Sequence, residues 1–215
     1  GKGVTGYCVF KMLNVTLYVP DAGGLSGVYS EDTLVQLAEL AKEHKVNYIV
    51  TDTNFGDGMV NELIKLVLTR IYPVSIEEVR HITQKEKRII DTLEPVMAGH
   101  RLVIDPDVVK DDFQTIQKYP HESQLKYSLF YQMSRLTRDR GAITHDDRLD
   151  ALSIAVAYWT EQLAQDAEVK MAERKVELLD QEYRRFKKLS LRTKAEETPL
   201  LCNKKIKARN GIKSR

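Results

Sequence analysis

The amino-acid sequence predicts an α/β domain with a mixed sheet flanked by helices, followed by a C-terminal helical extension. Short β-branched and aromatic runs alternate with longer segments of helical periodicity, a pattern typical of the α/β class. An opening β-hairpin, with strands at 7–12 and 15–19 joined by Leu13-Asn14, argues against a purely parallel sheet. The composition changes after Thr160, where we place the start of the extension.

The elements of the domain follow from local signals along the chain. The segment 20–24 contains one proline and two glycines and is expected to end the hairpin. Ser30 is expected to cap a helix that ends at His44-Lys45, and the apolar run 46–52 predicts a buried strand that ends in Asp52. The remaining assignments are a loop at 54–58, a helix at 59–71, a strand at 73–82, a helix at 85–99, a strand at 102–104, a helix at 125–136 and a last helix at 145–159.

The chain is expected to consist of three regions: a domain at 1–160, an amphipathic helical extension at 161–190 and a basic, disordered tail at 191–215. In the extension, apolar residues recur with alternating spacings of three and four, which is the a/d pattern of a coiled coil. These residues are Val169, Ala172, Val176, Leu179, Tyr183 and Phe186. The pattern is compatible with a helix that packs on its own domain and with one that binds a partner.

The net charge of +2 conceals an asymmetry, because residues 1–167 are acidic overall and residues 168–215 are basic. An acidic domain repels nucleic acid at long range, so DNA binding there requires local basic patches or metal ions. The sequence contains no apolar run long enough to span a membrane and no signal segment, nucleotide-binding loop, serine-hydrolase elbow or zinc-ligand spacing. Cys8 and Cys202 are far apart in sequence and are expected to be reduced thiols.

Three carboxylates fall in the first turn of the last predicted helix of the domain: Asp146, Asp147 and Asp150. Acidic residues at a helix N-terminus are stabilised by the helix dipole, and that structural role alone could account for them. Three like charges within one turn also repel, however, and a bound cation would relieve the repulsion. Asp52, at the end of a buried strand, is the expected partner, and such oxygen ligands select Mg²⁺ or Mn²⁺. The spacing permits either Asp147 or Asp146 as the joint ligand with Asp150.

Basic residues near this acidic run are candidates for contacts with DNA phosphates. Lys85 and Arg88 belong to one cluster, and Arg138 and Arg140 belong to a second that leads directly into the acidic turn. Each cluster is also compatible with an ordinary solvated surface. His145 is a possible auxiliary ligand or proton carrier, although a histidine at a helix start more often makes a single structural hydrogen bond.

Several motifs, in this order, resemble the terminase large subunits of short-tailed phages. They are the segments at 6–13, 54–58, 91–96, 126–133 and 145–152. The resemblance extends to about Trp159. It implies a nuclease domain with the RNase H-like fold of RuvC-type resolvases, which uses two Mg²⁺ or Mn²⁺ ions to cut concatemeric double-stranded viral DNA.

The resemblance also assigns roles to individual residues. It places a catalytic, metal-binding carboxylate at Asp52 and the last acidic motif at Asp146, Asp147 and Asp150, and the Asp-Ala-Leu at 150–152 favours Asp147 with Asp150. A further catalytic aspartate, its central strand and an ATP-hydrolysing domain are expected upstream of Gly1. A portal ring and a terminase small subunit are the implied partners, at the procapsid in the host cytoplasm. The alternatives are a docking module that binds portal or DNA through the C-terminal region, and a stand-alone resolvase-like nuclease.

Overall fold

The computed structural model of the chain describes residues 3–27, 30–52 and 59–210, with side chains described at 3–27, 30–52 and 62–187. The chain forms two compact units, Gly1–Leu163 and Ala164–Arg215. The strands are β1 (Val4–Leu13), β2 (Thr16–Ser26), β3 (Tyr48–Asp52), β4 (Ser75–Val79) and β5 (Leu102–Ile104). The helices are α1 (Glu31–Glu43), α2 (Met59–Ile71), α3 (Lys85–Ala98), α4 (Pro106–Ile116), α5 (Leu129–Arg135) and α6 (Asp147–Asn210), with a 3-10 turn at Gln124–Tyr127.

The strands form two sheets in the described part of the chain. The first has the order β1-β2-β5, with β1 antiparallel to β2 and β5 parallel to it. The second consists of β3 and β4, which are parallel and place Asp52 opposite Val79. Strands of both orientations and flanking helices confirm the predicted α/β class with a mixed sheet.

Two apolar clusters hold the first unit together. One lies between the β1-β2-β5 sheet and helices α3 to α6, and includes Leu17, Ile89, Leu152 and Trp159, each at most 1% exposed. The other is formed by α1 and α2, which pack through buried leucines, isoleucine and alanines beside β3 and β4. Complete burial of one such large side chain contributes about 1.5–3 kcal/mol, so each cluster stabilises its layer substantially.

Several local predictions are confirmed. Asn14 adopts a φ of 55° in the hairpin turn, a conformation that asparagine tolerates well. Ser30 caps α1 by accepting a hydrogen bond from the Thr33 backbone N–H, and His44 follows the last helical residue. Helix α2 begins and ends at the predicted residues. The predicted loop at 54–58 lies outside the described residues.

The predicted break at 20–24 is wrong, because β2 continues to Ser26. The register shifts between Val9 and Lys11, so β2 bulges at Val19-Pro20, opposite Phe10. A proline donates no ladder hydrogen bond and is tolerated at such a bulge. Gly23 and Gly24 remain paired with Tyr7 and Gly6 of β1. They face opposite sides of the sheet, and a Cβ at either would lie 3.0 Å or less from a side chain of β1.

Three helix assignments also needed correction. Helix α4 was not predicted, although Asp105 caps it and Pro106 occupies its first turn, a recognised start signal. The helix expected at 125–136 is divided at Ser128, whose hydroxyl caps α5.

Helix α6 begins at Asp147 rather than His145 and continues to Asn210 instead of ending at Trp159. No glycine or proline follows Trp159 until Pro199, so no stop signal interrupts it there. The helix range also includes 191–210, part of the segment predicted to be a basic tail. In the described residues, no helix is both long and apolar enough to cross a bilayer.

Candidate active site at the start of helix α6

A buried ion pair fixes the first turn of α6. The Arg148 guanidinium donates to Asp112 on α4 at 2.6 Å, and both side chains are only 2% exposed. Arg148 also donates to the Thr115 hydroxyl at 3.0 Å. Removing either charge would leave the other buried without compensation, so the pair ties the start of α6 firmly to α4.

The same carboxylate organises the neighbouring helix. Asp112 accepts hydrogen bonds from the Ser128 hydroxyl at 2.6 Å and from the Leu129 backbone N–H at 2.9 Å. Gln132, also buried, accepts from the Leu149 backbone N–H at 3.1 Å and therefore satisfies one of the free donors at the helix start.

Sequence reasoning missed this polar network. A signal was present, because Asp112 lies four residues from both Val108 and Ile116 and shares their buried face of α4. A carboxylate in an otherwise apolar row of a helix indicates a buried partner.

Two glycines allow the backbone of α6 to approach the hairpin closely. Gly6 and Gly24 are opposite each other in the β1–β2 ladder. A Cβ at Gly6 would lie 2.0 Å from the Asp147 carbonyl oxygen, and one at Gly24 would lie 3.1 Å from Arg148 Nε. The first of these distances is impossible for real atoms, so any side chain at Gly6 would displace the turn that carries the acidic residues.

Asp146 and Asp150 are paired with basic residues of α3. Lys85 Nζ lies 2.9 Å from Asp146 Oδ1 and 3.0 Å from Asp150 Oδ2, and Arg88 Nη2 lies 2.5 Å from Asp150 Oδ1. The Arg88 side chain is only 10% exposed and also donates to Ser153. Lys85 and Arg88, predicted as phosphate contacts, therefore contact the acidic residues instead in this structure.

Asp147 differs from its neighbours because it makes no ion pair with any described residue. Burial, and secondarily the adjacent Asp146 carboxylate, raise the pKa of Asp147 above its ordinary value. Asp147 is therefore the acidic residue of this turn with the least compensation, and the one that gains most from a nearby cation.

Asp52, Asp147 and Asp150 line one cavity of about 920 Å³, together with His81, Lys85 and Arg88. The end of β3 and the start of α6 thus line the same cavity. His81 was not predicted; burial and then the nearby Arg88 charge lower the pKa of His81, and the carboxylates of Asp52 and Asp150 act in the opposite direction. A neutral imidazole is consistent with either a ligand or a proton acceptor.

The side chains that line the cavity include carboxylates, which suit a hard divalent cation, but they lie too far apart to share one ion as they stand. Carboxylate oxygens from two elements line the cavity, which is the ligand type that Mg²⁺ and Mn²⁺ prefer. No three metal-ligating side chains in the described part of the chain are grouped closely enough to share one ion. As arranged, Asp146 and Asp150 are directed to Lys85 and Arg88 instead of to each other.

The other predicted residues, Arg138, Arg140 and His145, are not among those that line this cavity. Arg138, with a side chain 56% exposed, pairs with Asp91 at 2.8 Å and Glu94 at 3.4 Å on α3. His145 stacks on the Tyr127 ring at a centroid distance of 4.1 Å, and Tyr127 stacks on Tyr119. This packing gives His145 a structural role before the helix start.

Arg140 is exposed. Hydrogen bonds from backbone N–H groups, above all that of Gly141, lower the pKa of Glu86, and the charge of Arg140 lowers it further. The backbone N–H of Gly141 donates to the Glu86 carboxylate at 2.7 Å. The loop that carries the second basic cluster is therefore docked on α3 and presents Arg140 to solvent.

The cavity also runs along the unpaired edges of two strands. In the described residues β1 pairs only with β2 and β3 pairs only with β4, and every residue from Val4 to Met12 and from Asn47 to Asp52 lines the cavity. Unpaired strand edges carry free N–H and C=O groups, so this space presents hydrogen-bonding partners to an extended segment.

Two comparisons with known proteins give matches to phage terminases. Residues 1–102 match the family described as the terminase of bacteriophage T7, ribonuclease H-like domain. The large subunit of the terminase of Enterobacteria phage T3 is 44% identical over 167 residues, which cover 78% of this chain. The same alignment covers 28% of that relative, so the chain spans under a third of its length.

Proposed function

We propose that the chain is the nuclease of a DNA-packaging terminase and hydrolyses phosphodiester bonds of double-stranded viral DNA, because residues 1–102 match the ribonuclease H-like domain family of the bacteriophage T7 terminase. The observation that supports the proposal is the cavity that Asp52 of β3 lines together with Asp147 and Asp150 of α6. Carboxylates from separate elements at one cavity are the ligand set of metal-dependent nucleases.

In this proposal, Asp52, Asp147 and Asp150 hold two Mg²⁺ or Mn²⁺ ions, with Asp146 at the margin of the site. Bound ions of this kind lower the pKa of a water nucleophile and stabilise the leaving oxygen. The chain's own residues orient the ligands: the Arg148–Asp112 pair holds the first turn of α6, and Gly6 sets its distance from β1. His81 is positioned to accept a proton at the cavity wall.

The unpaired edges of β1 and β3 support a further element of the site. We propose that a strand with an additional carboxylate pairs with both edges and completes the ligand set. This arrangement would join the two small sheets into one and would extend the backbone hydrogen bonding of both strands. It also explains why the described carboxylates alone do not form a closed group.

Double-stranded DNA would approach over the basic loop that leads into α6. The acidic cavity itself repels phosphates, so exposed Arg138 and Arg140 are the proposed backbone contacts. Packaging, and action at the procapsid in the host cytoplasm with a portal ring and a small subunit, are proposed for the whole protein from its similarity to a terminase large subunit. ATP hydrolysis is proposed to reside in a separate domain.

The test is nicking of supercoiled plasmid in Mn²⁺ by the protein expressed from its full reading frame. Asp52→Asn and Asp147→Asn are expected to abolish nicking while the protein remains folded. Asp107→Asn is the matched control, because Asp107 is a highly exposed carboxylate that pairs with Lys110 at the surface. Full activity in both cavity variants would contradict the proposal.

A docking function for the C-terminal unit is a second candidate, favoured by apolar side chains exposed on α6. Val169, Val176, Leu179, Tyr183 and Phe186 follow the a/d spacing, and each is at least 57% exposed. A surface of this kind favours binding to a partner, for which we propose the portal ring. Deletion of 164–215 should abolish packaging and leave nicking intact; packaging that survives the deletion would exclude this role.

A further inference from the structure

We propose that Lys85 is a built-in counter-cation of the acidic site, which holds Asp146 and Asp150 together when no divalent ion is bound and is displaced from Asp150 when one binds. This inference rests on the proposed metal site. The sequence predicts that Lys85 contacts DNA phosphates, whereas its contacts in the structure are with Asp146 and Asp150.

The geometry of Lys85 is that of a bridge. Its ammonium lies within 3.0 Å of a carboxylate oxygen on each of two acidic residues that are four positions apart. Asp150 uses its other oxygen to accept from Arg88, so both of its oxygens are engaged by cations. A divalent ion that binds Asp150 would therefore compete with one of the two basic side chains for its oxygens.

Lys85 is the exchangeable partner of the two. Its side chain is 39% exposed, whereas that of Arg88 is 10% exposed and is also held by the Ser153 hydroxyl. A lysine ammonium is a point charge on a flexible stem, while the arginine fork is fixed by its hydrogen-bonding geometry. Displacement of Lys85 costs little burial and frees its charge for a phosphate oxygen of the substrate.

The local charge favours exchange for a divalent ion. Asp146, Asp147 and Asp150 lie in one turn beside the cavity, and Lys85 and Arg88 are the described cations that pair with Asp146 and Asp150. Lys11 and Lys45 also line the cavity. One divalent ion brings twice the charge of the lysine that it replaces and reaches Asp147, which makes no ion pair with a described residue. The exchange therefore compensates more of the acidic charge than Lys85 does.

The experiment measures Mn²⁺ binding and thermal unfolding of the metal-free protein, without reference to nicking. Lys85→Met is compared with Lys87→Met, which removes the same charge from an exposed position on the same helix. We expect Lys85→Met to bind Mn²⁺ about tenfold more tightly than Lys87→Met, since it has no internal competitor. In metal-free solution we expect Lys85→Met to have the lower Tm, and Asp146→Asn in the same chain to restore part of it.

Each outcome decides the inference. Equal or weaker Mn²⁺ binding in Lys85→Met, or no binding in either variant, would overturn it. Tighter binding with the lower metal-free Tm supports it. Nicking is measured separately. If the wild-type protein nicks DNA and the two variants bind Mn²⁺ equally, the proposed function stands and only the proposed role of Lys85 is wrong.

Discussion

Replacement of Arg148 by methionine tests whether the buried pair with Asp112 holds the start of α6 in place. Methionine fills much of the same volume but carries no charge. Asp112 would keep its hydrogen bonds from Ser128 and Leu129 but would lose the 2.6 Å contact with the guanidinium. The carboxylate would then be buried, at 2% exposure, without a counter-ion.

The size of the effect follows from this environment. Breaking a buried ion pair by removal of one partner typically costs about 3–5 kcal/mol. The two remaining hydrogen bonds to Asp112 place the expected loss near the lower end, at about 3 kcal/mol. A domain has a total stability of about 5–15 kcal/mol, so this variant should unfold at a clearly lower urea concentration.

The assay is equilibrium urea unfolding, with Arg138→Met as the matched control. Arg138 makes its ion pairs at the surface, where removal should cost less than about 1 kcal/mol. The double variant Arg148→Met with Asp112→Asn should recover part of the loss, because the unpaired charge is gone. Equal unfolding free energies for Arg148→Met and Arg138→Met would refute the reasoning.

Three further predictions concern Gly6, Cys8 and the pair Arg138 and Arg140. Gly6→Ala should cost about 3 kcal/mol and lower nicking, since its Cβ would clash with the Asp147 carbonyl, whereas Gly141→Ala should cost about 1 kcal/mol; urea unfolding of both decides this. Burial raises the pKa of the Cys8 thiol to about 12. In a Cys202→Ser background, alkylation of Cys8 should therefore be roughly a thousandfold slower at pH 8 than in urea, and its rate should still rise with pH above 9. A plateau of the rate near pH 9 would contradict this prediction. Replacement of Arg138 and Arg140 by glutamine should reduce the slope of log affinity for DNA against log salt by about 2; an unchanged slope would remove them from the interface.

The sequence was sufficient to predict elements with strong local signals. The Ser30 cap, the helix at 59–71 and the strand that ends in Asp52 depend on nearby residues, and the structure has all three. Asp52 and the acidic run line one cavity, but the described residues include no three metal-ligating side chains close enough to share an ion. The catalytic and metal-binding roles of these residues stay predictions.

Contacts between distant elements were not predictable in the same way. Nothing local to Lys85 or Arg88 shows that they pair with carboxylates more than 55 positions away, because a lysine on a helix surface is usually solvated. The bulge that lets β2 pass through Pro20 depends on the register with β1. His81 gains its place at the cavity only from tertiary packing.

The central claim is that the cavity between β3 and α6 is a hydrolytic, metal-dependent site. The most direct measurement is the rate of plasmid nicking by Asp147→Asn relative to Asp107→Asn, with Mn²⁺ titrated in both and folding checked by urea unfolding. Loss of a direct ligand should lower the rate by about a hundredfold or more, whereas the exposed control should match the wild-type protein. Equal rates at every Mn²⁺ concentration would show that the chemistry takes place elsewhere.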